Sequence, residues 1–407
     1  MRARLAAAAL AIAAPSSARA ALGPHYGGEA TVAVMALPDS LVPDRPADAA
    51  HRLVLGLLHE TLVRAGEGGR LLPGLARAWT RSAGGREWLL ELEPDARFHD
   101  DAPLTSADAL RALQRFLDAR SPAALALAEA LEPEGLLAPD AEHVVLRFRA
   151  AQAQPLLPLA SPAAAVTSAS GAGAGPYLPT HRVPGQRLAL TAFTGHVRGR
   201  PYLDRVTLAA VAEEARRSAD LAAGRAEAAL DAGPAAEGAM TATLVLAIDA
   251  ARPPFDAPAA RAAAVEAVRT ADIPAFVHGA TAFLAHPAPA NPAPLRGPIA
   301  LTVASDVPAM ASQRVAAVLE ARGARITAEV RPPGAARAAL TPLRLLLECP
   351  ETPGMDAAER QSLARGQGDA VLTIAWLPLR LATASRLHDA RFGPDGALRL
   401  EDAWIEP

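Results

Sequence analysis

Residues 299 to 330 constrain the fold most strongly. Ile299 to Val303 is a β-prone run, Ala309 to Arg322 carries apolar residues at helical spacing, and Arg325 to Val330 is again strand-like. A β-α-β order of this kind belongs to proteins whose sheets are covered by helices, the α/β class. The alternation recurs along the chain. Strands are predicted over Gly28 to Ala36, Glu87 to Leu92, His143 to Phe148, Arg187 to Ala192, Val206 to Val211, Thr243 to Ile248, Leu343 to Leu347, Val371 to Ile374 and Leu398 to Leu400. Helices are predicted over Asp48 to Val63, with Asp48 as N-cap, from Thr105, over Glu213 to Ala223 and over Ala259 to Val268. Thr105 and Asp108 form a capping box with Asp in place of Glu. The 407 residues exceed one typical domain, so two lobes are expected.

The first residues have the layout of an export signal. Arg2 and Arg4 precede the apolar run Leu5 to Ala14, Pro15 breaks it, and Ala18-Arg19-Ala20 supplies a small-x-small cleavage site. The expectation is a signal peptide over residues 1–20 and a periplasmic mature chain without a lipid anchor, since no cysteine lies near Ala20. A ten-residue apolar run is too short to span a bilayer, which takes about 20 residues, and no second long run follows. Lysine is absent; arginine alone supplies the 40 positive charges against 43 acidic ones. The resulting net charge of −3 argues against a nucleic-acid binder. Cys349, the single cysteine, sits in LRLLLECP and reads as the end of a buried strand.

Trp79 and Trp88 are expected to anchor the core. His99 beside Asp100 and Asp101 suggests a metal site, but no second His stands at ligand spacing, and turn capping accounts better for the acids. Gly173, Gly175, Pro176 and Tyr177 are expected to form a sharp corner where Gly permits close backbone approach. No phosphate-loop pattern is present.

Several ordered segments together resemble one family. They are LPDSLVPD (Leu37 to Asp44), LLHETLVR (Leu57 to Arg64), GRLLPGLARAW (Gly69 to Trp79), REWLLELEPDARFHDDAPLTSADAL (Arg86 to Leu110), GAGPYLPTHRVPGQRLALTAF (Gly173 to Phe193), GRPYLDRVTL (Gly199 to Leu208) and LAAGRAEAAL (Leu221 to Leu230). The chain resembles the family 5 solute-binding proteins of ABC transporters, the peptide- and nickel-binding type. The resemblance rests chiefly on Trp88, Phe98, His99, Asp100, Pro103, Thr105 and Asp108; Asp101 departs from the family's usual glycine. It implies a two-lobed periplasmic-binding-protein-like fold of type II, with mixed sheets in each lobe joined by a hinge. The expected division is a first lobe over 21–235, a shortened second lobe over 236–375, and a segment 376–407 returning to the first lobe. The shortening falls between Leu347 and Trp376, where no counterpart of the family's amine-binding aspartate is found.

The resemblance further implies a binding component of an ABC importer that closes around a small, peptide-like solute and docks, as a monomer, on a permease in the inner membrane. The ligand-binding residues expected are Pro38, Asp39 and Ser40 after the first strand, Tyr177 at the corner, and Trp376 and Arg380 in IAWLPLR. No cofactor, metal or nucleic acid is expected. The alternative is a diverged module that serves as sensor or docking scaffold. A secreted enzyme has the least support, because G-x-S-x-G, H-E-x-x-H and S-x-x-K are not found at convincing positions.

Overall fold

A computed structural model describes residues 23–43, 49–66, 70–119, 122–152, 154–230, 240–273, 275, 281–282, 294–348, 371–393 and 396–406. The expected export signal, Asp48, most of the joint between the lobes, and Cys349 lie outside these residues.

Two six-stranded mixed sheets organise the chain. The first has the order Leu381–Thr383, Ala228–Leu230, Glu29–Val34, Arg205–Ala210, Arg187–Ala192, Tyr177–Val183. Glu29–Val34 is central and runs parallel to both neighbours, with Val32 opposite Leu208 on one side and Ala228 on the other. Val32 and Val34 are buried on one face and Ala33 on the other, as a strand covered on both faces requires. The second sheet has the order Thr281–Ala282, Val371–Leu379, Met240–Ile248, Leu343–Glu348, Gly297–Ala304, Ala324–Arg331. Within it the predicted β-α-β unit is realised: Gly297–Ala304 and Ala324–Arg331 pair in parallel, linked through helix Ala309–Glu320.

The two sheets communicate through paired crossings. Leu230 lies opposite Leu381 in the first sheet, and Met240 lies opposite Leu379 in the second. The chain leaves the first sheet at Leu230 and enters the second at Met240, and on the return Arg380 alone separates Leu379 of the second sheet from Leu381 of the first. This is the arrangement of a two-lobed binding protein with adjacent connecting strands.

A third, four-stranded antiparallel sheet stands apart, with the order Ala76–Arg81, Glu87–Leu92, His143–Phe148, Leu131–Leu137. Helices Ser106–Asp118 and Pro122–Ala130 pack with it around a separate core that includes Leu90, Phe98, Leu113, Phe116 and Phe148. The portion expected as one lobe thus holds two cores. Trp79 and Trp88 pack at the edge of this second core and remain only partly buried; Trp88 lies under Arg81, 5.9 Å from its guanidinium carbon.

The predicted helix over Asp48 to Val63 is observed as Ala49–Leu58. Leu62 keeps the helical period, but the backbone leaves the helix where the Leu58 carbonyl, which a Leu62 N–H would need, accepts instead from Gly175 N–H at 3.1 Å. Leu75 and Ala76 donate to the oxygens of Thr61 and Leu62 at 2.9 Å. Leu62 and Val63 then enter the second core, while Leu53, Leu57 and Leu58 stay in the first.

Candidate functional site

The site is built where helix Ala49–Leu58 ends against the glycine corner. A Cβ on Gly173 would fall 2.0 Å from the Leu58 carbonyl oxygen, and one on Gly175 would fall 2.4 Å from the Leu58 carbonyl carbon. Both are backbone clashes, so only glycine lets the corner close on the helix end. Gly175 N–H donates to the Leu58 oxygen at 3.1 Å and fixes the junction.

Beside the junction lies a cavity of about 340 Å³. Its walls come from the loop after the first strand (Leu41, Val42), the helix end (Leu58, His59), the turn His99-Asp100, the 171–173 segment and the start of a strand (Leu178, Pro179). Both histidines are positioned by main-chain carbonyls. His59 Nε2 donates to the Leu41 oxygen at 2.8 Å, and His99 Nε2 donates to the Gly175 oxygen at 2.9 Å. The His99 ring also stands edge-on to Phe193, with centroids 4.9 Å apart. Burial pushes the His59 pKa down to about 4, outweighing the hydrogen bond to Leu41. His99 is lowered for the same reason. Both rings are neutral near pH 7, with the proton on Nε2 and the lone pair on Nδ1.

Among the described residues, Asp100 is the only charged one in the lining. Ser168 and Ser170 donate their hydroxyls to its Oδ2 at 2.9 and 2.6 Å, and Ala102 N–H donates to Oδ1 at 3.3 Å. These bonds, that from Ser170 foremost, hold its pKa below the usual carboxylate range.

The loop of Leu41 and Val42 also reaches the second lobe. Asp39 Oδ2 accepts from Ala335 N–H at 3.1 Å, at the start of helix Pro333–Ala338. Arg182 Nη2 holds the same loop from the other side, donating to the oxygens of Pro38 and Asp39 at 2.8 and 2.6 Å.

The sequence-predicted residues fall around this site rather than in it. Pro38 is buried, Asp39 bridges to the second lobe, and the Ser40 hydroxyl oxygen accepts from Val42 N–H at 3.1 Å. Tyr177 is fully buried and its phenol donates to the Leu400 oxygen at 2.9 Å; it ties the C-terminal segment to the first lobe. Trp376 pairs with Thr243 and Thr281 in the second sheet; its side chain lies outside the described residues. Arg380 stands in the crossing between sheets. Leu41, Val42, His59, Leu178 and Pro179 were not anticipated. Each lies within a few residues of a segment the sequence had marked, but nothing local distinguishes a wall residue from a core residue. Asp101, the departure from the expected glycine, adopts φ 62°, so the turn before helix Ser106–Asp118 keeps its left-handed residue.

Among the described residues, no cluster of three or more His, Cys, Asp or Glu is placed to hold a metal ion, and no helix is long and apolar enough to cross a membrane.

The model of the bacterial extracellular solute-binding proteins, family 5, matches residues 70–295, more than half of the chain. Among solved structures, the fold is similar to AgaA from A. tumefaciens R10, a binding protein in complex with agropinic acid, with TM-score 0.73 and 18% identity over 93% of this chain and 99% of that one. It is also similar to the ABC transporter-associated periplasmic binding protein DppA from Helicobacter pylori in complex with the peptide STSA, with TM-score 0.74 and 15% identity over 94% and 99%. A third similar structure is NikA from Staphylococcus aureus in complex with Ni(L-His)2, with TM-score 0.69 and 14% identity over 93% and 100%. No curated protein matches the chain. With the two-lobed fold, the paired crossings and the His99-Asp100 turn in place, the family match is decisive: the chain belongs to the family 5 bacterial extracellular solute-binding proteins.

Proposed function

We propose that this protein is the periplasmic binding component of an ABC importer, which captures a small solute without transforming it and presents its closed form to a membrane permease. The observation that carries this reading is the double role of one loop. Leu41 and Val42 wall the cavity while Asp39, two residues earlier, bonds Ala335 of the opposite lobe. Occupancy of the cavity and closure of the lobes then act on the same backbone, and a ligand that favours one arrangement of the loop shifts the lobe equilibrium. We assign the lobes as 21–235 and 236–375 with the return at 376–407. The rim of the site is Pro38, Asp39 and Ser40, with Trp376 and Arg380 nearest the crossing and Tyr177 behind the corner. The cavity is at the lower end of the range for small-molecule sites, about 300–1,000 Å³. Its size suits a solute no larger than a short peptide, carried by a monomeric protein.

A thermal-shift screen of peptides, amino acids, sugars, opines and metal complexes tests the reading. A true solute at a hundred times its Kd stabilises by about 2.7 kcal/mol. The same solute should reduce the small-angle scattering radius of the wild type, and less so that of Asp39→Ala, which lacks the bond to Ala335. Absence of any shift across the library would leave the docking-scaffold alternative in its place.

A further inference from the structure

The cavity is one-sided in its chemistry, and this deepens the reading of it as a solute site, on which the inference rests. Its apolar walls are Leu41, Val42, Leu58, Ala172, Leu178 and Pro179. Every polar side chain in its lining is an acceptor. His59 and His99 each direct the ring N–H to a main-chain carbonyl, so their remaining ring nitrogens carry lone pairs. His59 Nδ1 is buried against Gly173 and has no hydrogen-bond partner among the described residues. Asp100 brings the one formal charge. Its Oδ2 accepts from the two serine hydroxyls, while Oδ1 accepts a long 3.3 Å bond from Ala102 N–H and, on an exposed carboxylate, keeps a lone pair for another donor. Among the described residues, no Arg, Ser, Thr, Asn, Gln or Tyr side chain lines the space. An anion entering here would meet the Asp100 carboxylate with no cationic side chain among the described lining residues to receive it. Asp100 is exposed, so it disfavours the anion by like charge rather than by burial. A cation with N–H donors meets a fixed carboxylate whose other bonds are already made, and its placement needs no rearrangement.

We propose that this cavity selects a compact organic monocation, an ammonium or amidinium group on a short branched apolar body, with an N–H donated to Asp100 Oδ1 and the body against Leu58, Leu178 and Pro179. At about 340 Å³ it has room for a solute of about ten heavy atoms, at ~30 Å³ for each water-sized group. This makes the solute smaller than a peptide of several residues, and singly headed.

Three isosteres that differ only in the head group test the proposal on the full mature chain by calorimetry: 3-methylbutylamine, 3-methylbutanol and 3-methylbutanoate. The expected order is amine tightest, alcohol weaker by about fivefold, the size of a partly exposed ion pair, and the acid without measurable binding. Raising salt should weaken the amine and leave the alcohol unchanged. Asp100→Asn should bring amine and alcohol to equal affinity. The salt series covers the case in which that variant perturbs the turn. Acid binding as tight as amine, or an amine affinity indifferent to both salt and Asp100→Asn, overturns the cationic selection while leaving a working cavity. Nickel chloride binding that is lost in His99→Ala also overturns it, in favour of a metal. If none of the three probes binds, and a solute found in the broad screen binds Leu178→Trp as well as wild type, the cavity is not the capture site and both readings fall.

Discussion

At the residue scale, the fold keeps His59 neutral to a lower pH than water would. Its pKa is about 4 in the fold against 6.5 free, because burial penalises the charged ring. The unfolded chain therefore binds a proton first as pH falls. The stability is intact above about pH 6.5 and is lost progressively down to about pH 4, with a total near 3 kcal/mol for this group at roughly 1.4 kcal/mol per pH unit. Urea unfolding of wild type and His59→Gln across that window should show the gap between them narrowing toward acid; a constant gap would refute the burial argument. Asp101 offers an opposite case. Its left-handed φ of 62° costs an L-residue about 1–2 kcal/mol, less for Asp, whose side chain tolerates this region. Glycine removes the strain but loses about 0.5–1 kcal/mol to chain entropy. Asp101→Gly should gain about 0.5 kcal/mol by these opposing terms, read as a higher urea midpoint at unchanged slope.

At the element scale, helix Ser106–Asp118 shows local sequence deciding local structure. Asp108 Oδ2 accepts from both the N–H and the hydroxyl of Thr105, at 2.9 and 2.7 Å. Ala109, Ala112, Leu113 and Phe116 turn inward on one face. Asp108→Ala should cost about 1 kcal/mol through loss of the cap, and Asp108→Glu should recover most of it. Hydrogen exchange should accelerate in the first turn alone. Helix Ala49–Leu58 is the contrasting element. Its sequence would carry it on to Val63, but Gly175 N–H takes the Leu58 carbonyl that the next turn would need, and the strand at Leu75 and Ala76 takes those of Thr61 and Leu62. Truncation of that kind is invisible to periodicity, because the competing hydrogen bonds come from residues more than ten positions away.

At the scale of the whole molecule, a buried charge cluster ties three parts together. Arg198 Nη2 is 3.1 Å from Glu60 Oε2, and its Nη1 is 3.3 Å from Glu401 Oε1; Arg64 Nη1 is 3.6 Å from Glu401 Oε1. Burial alone would raise the pKa of Glu60, but His196 and the Arg198 charge hold it well below the carboxylate range. Glu60 stands where the two cores meet, and Glu401 belongs to the C-terminal return. Arg198→Met leaves two buried carboxylates without their shared cation and should cost about 3 kcal/mol or more. Adding Glu60→Gln and Glu401→Gln should restore much of the lost Tm, since the penalty is uncompensated charge rather than lost packing. A triple variant as unstable as the single one would refute that account.

The α/β class, the β-α-β unit, the capped helix and the glycine corner were legible in the sequence. Each is set by interactions among near neighbours: period, capping and conformational freedom act over a few residues. The family resemblance carried the two-lobed fold, and the candidate cavity takes walls from two of its segments, Leu37 to Asp44 and Gly173 to Phe193. The tertiary structure alone decided which side chains in those segments face a cavity. Tyr177 and Leu178 are adjacent in the chain, yet the first is core and the second is wall, because alternate residues of a strand point to opposite sides. The first core's independence from the second, the bridge from Asp39 to Ala335 and the meeting of His59, His99 and Asp100 have the same origin. They join residues separated by tens to hundreds of positions, and only packing brings such residues together.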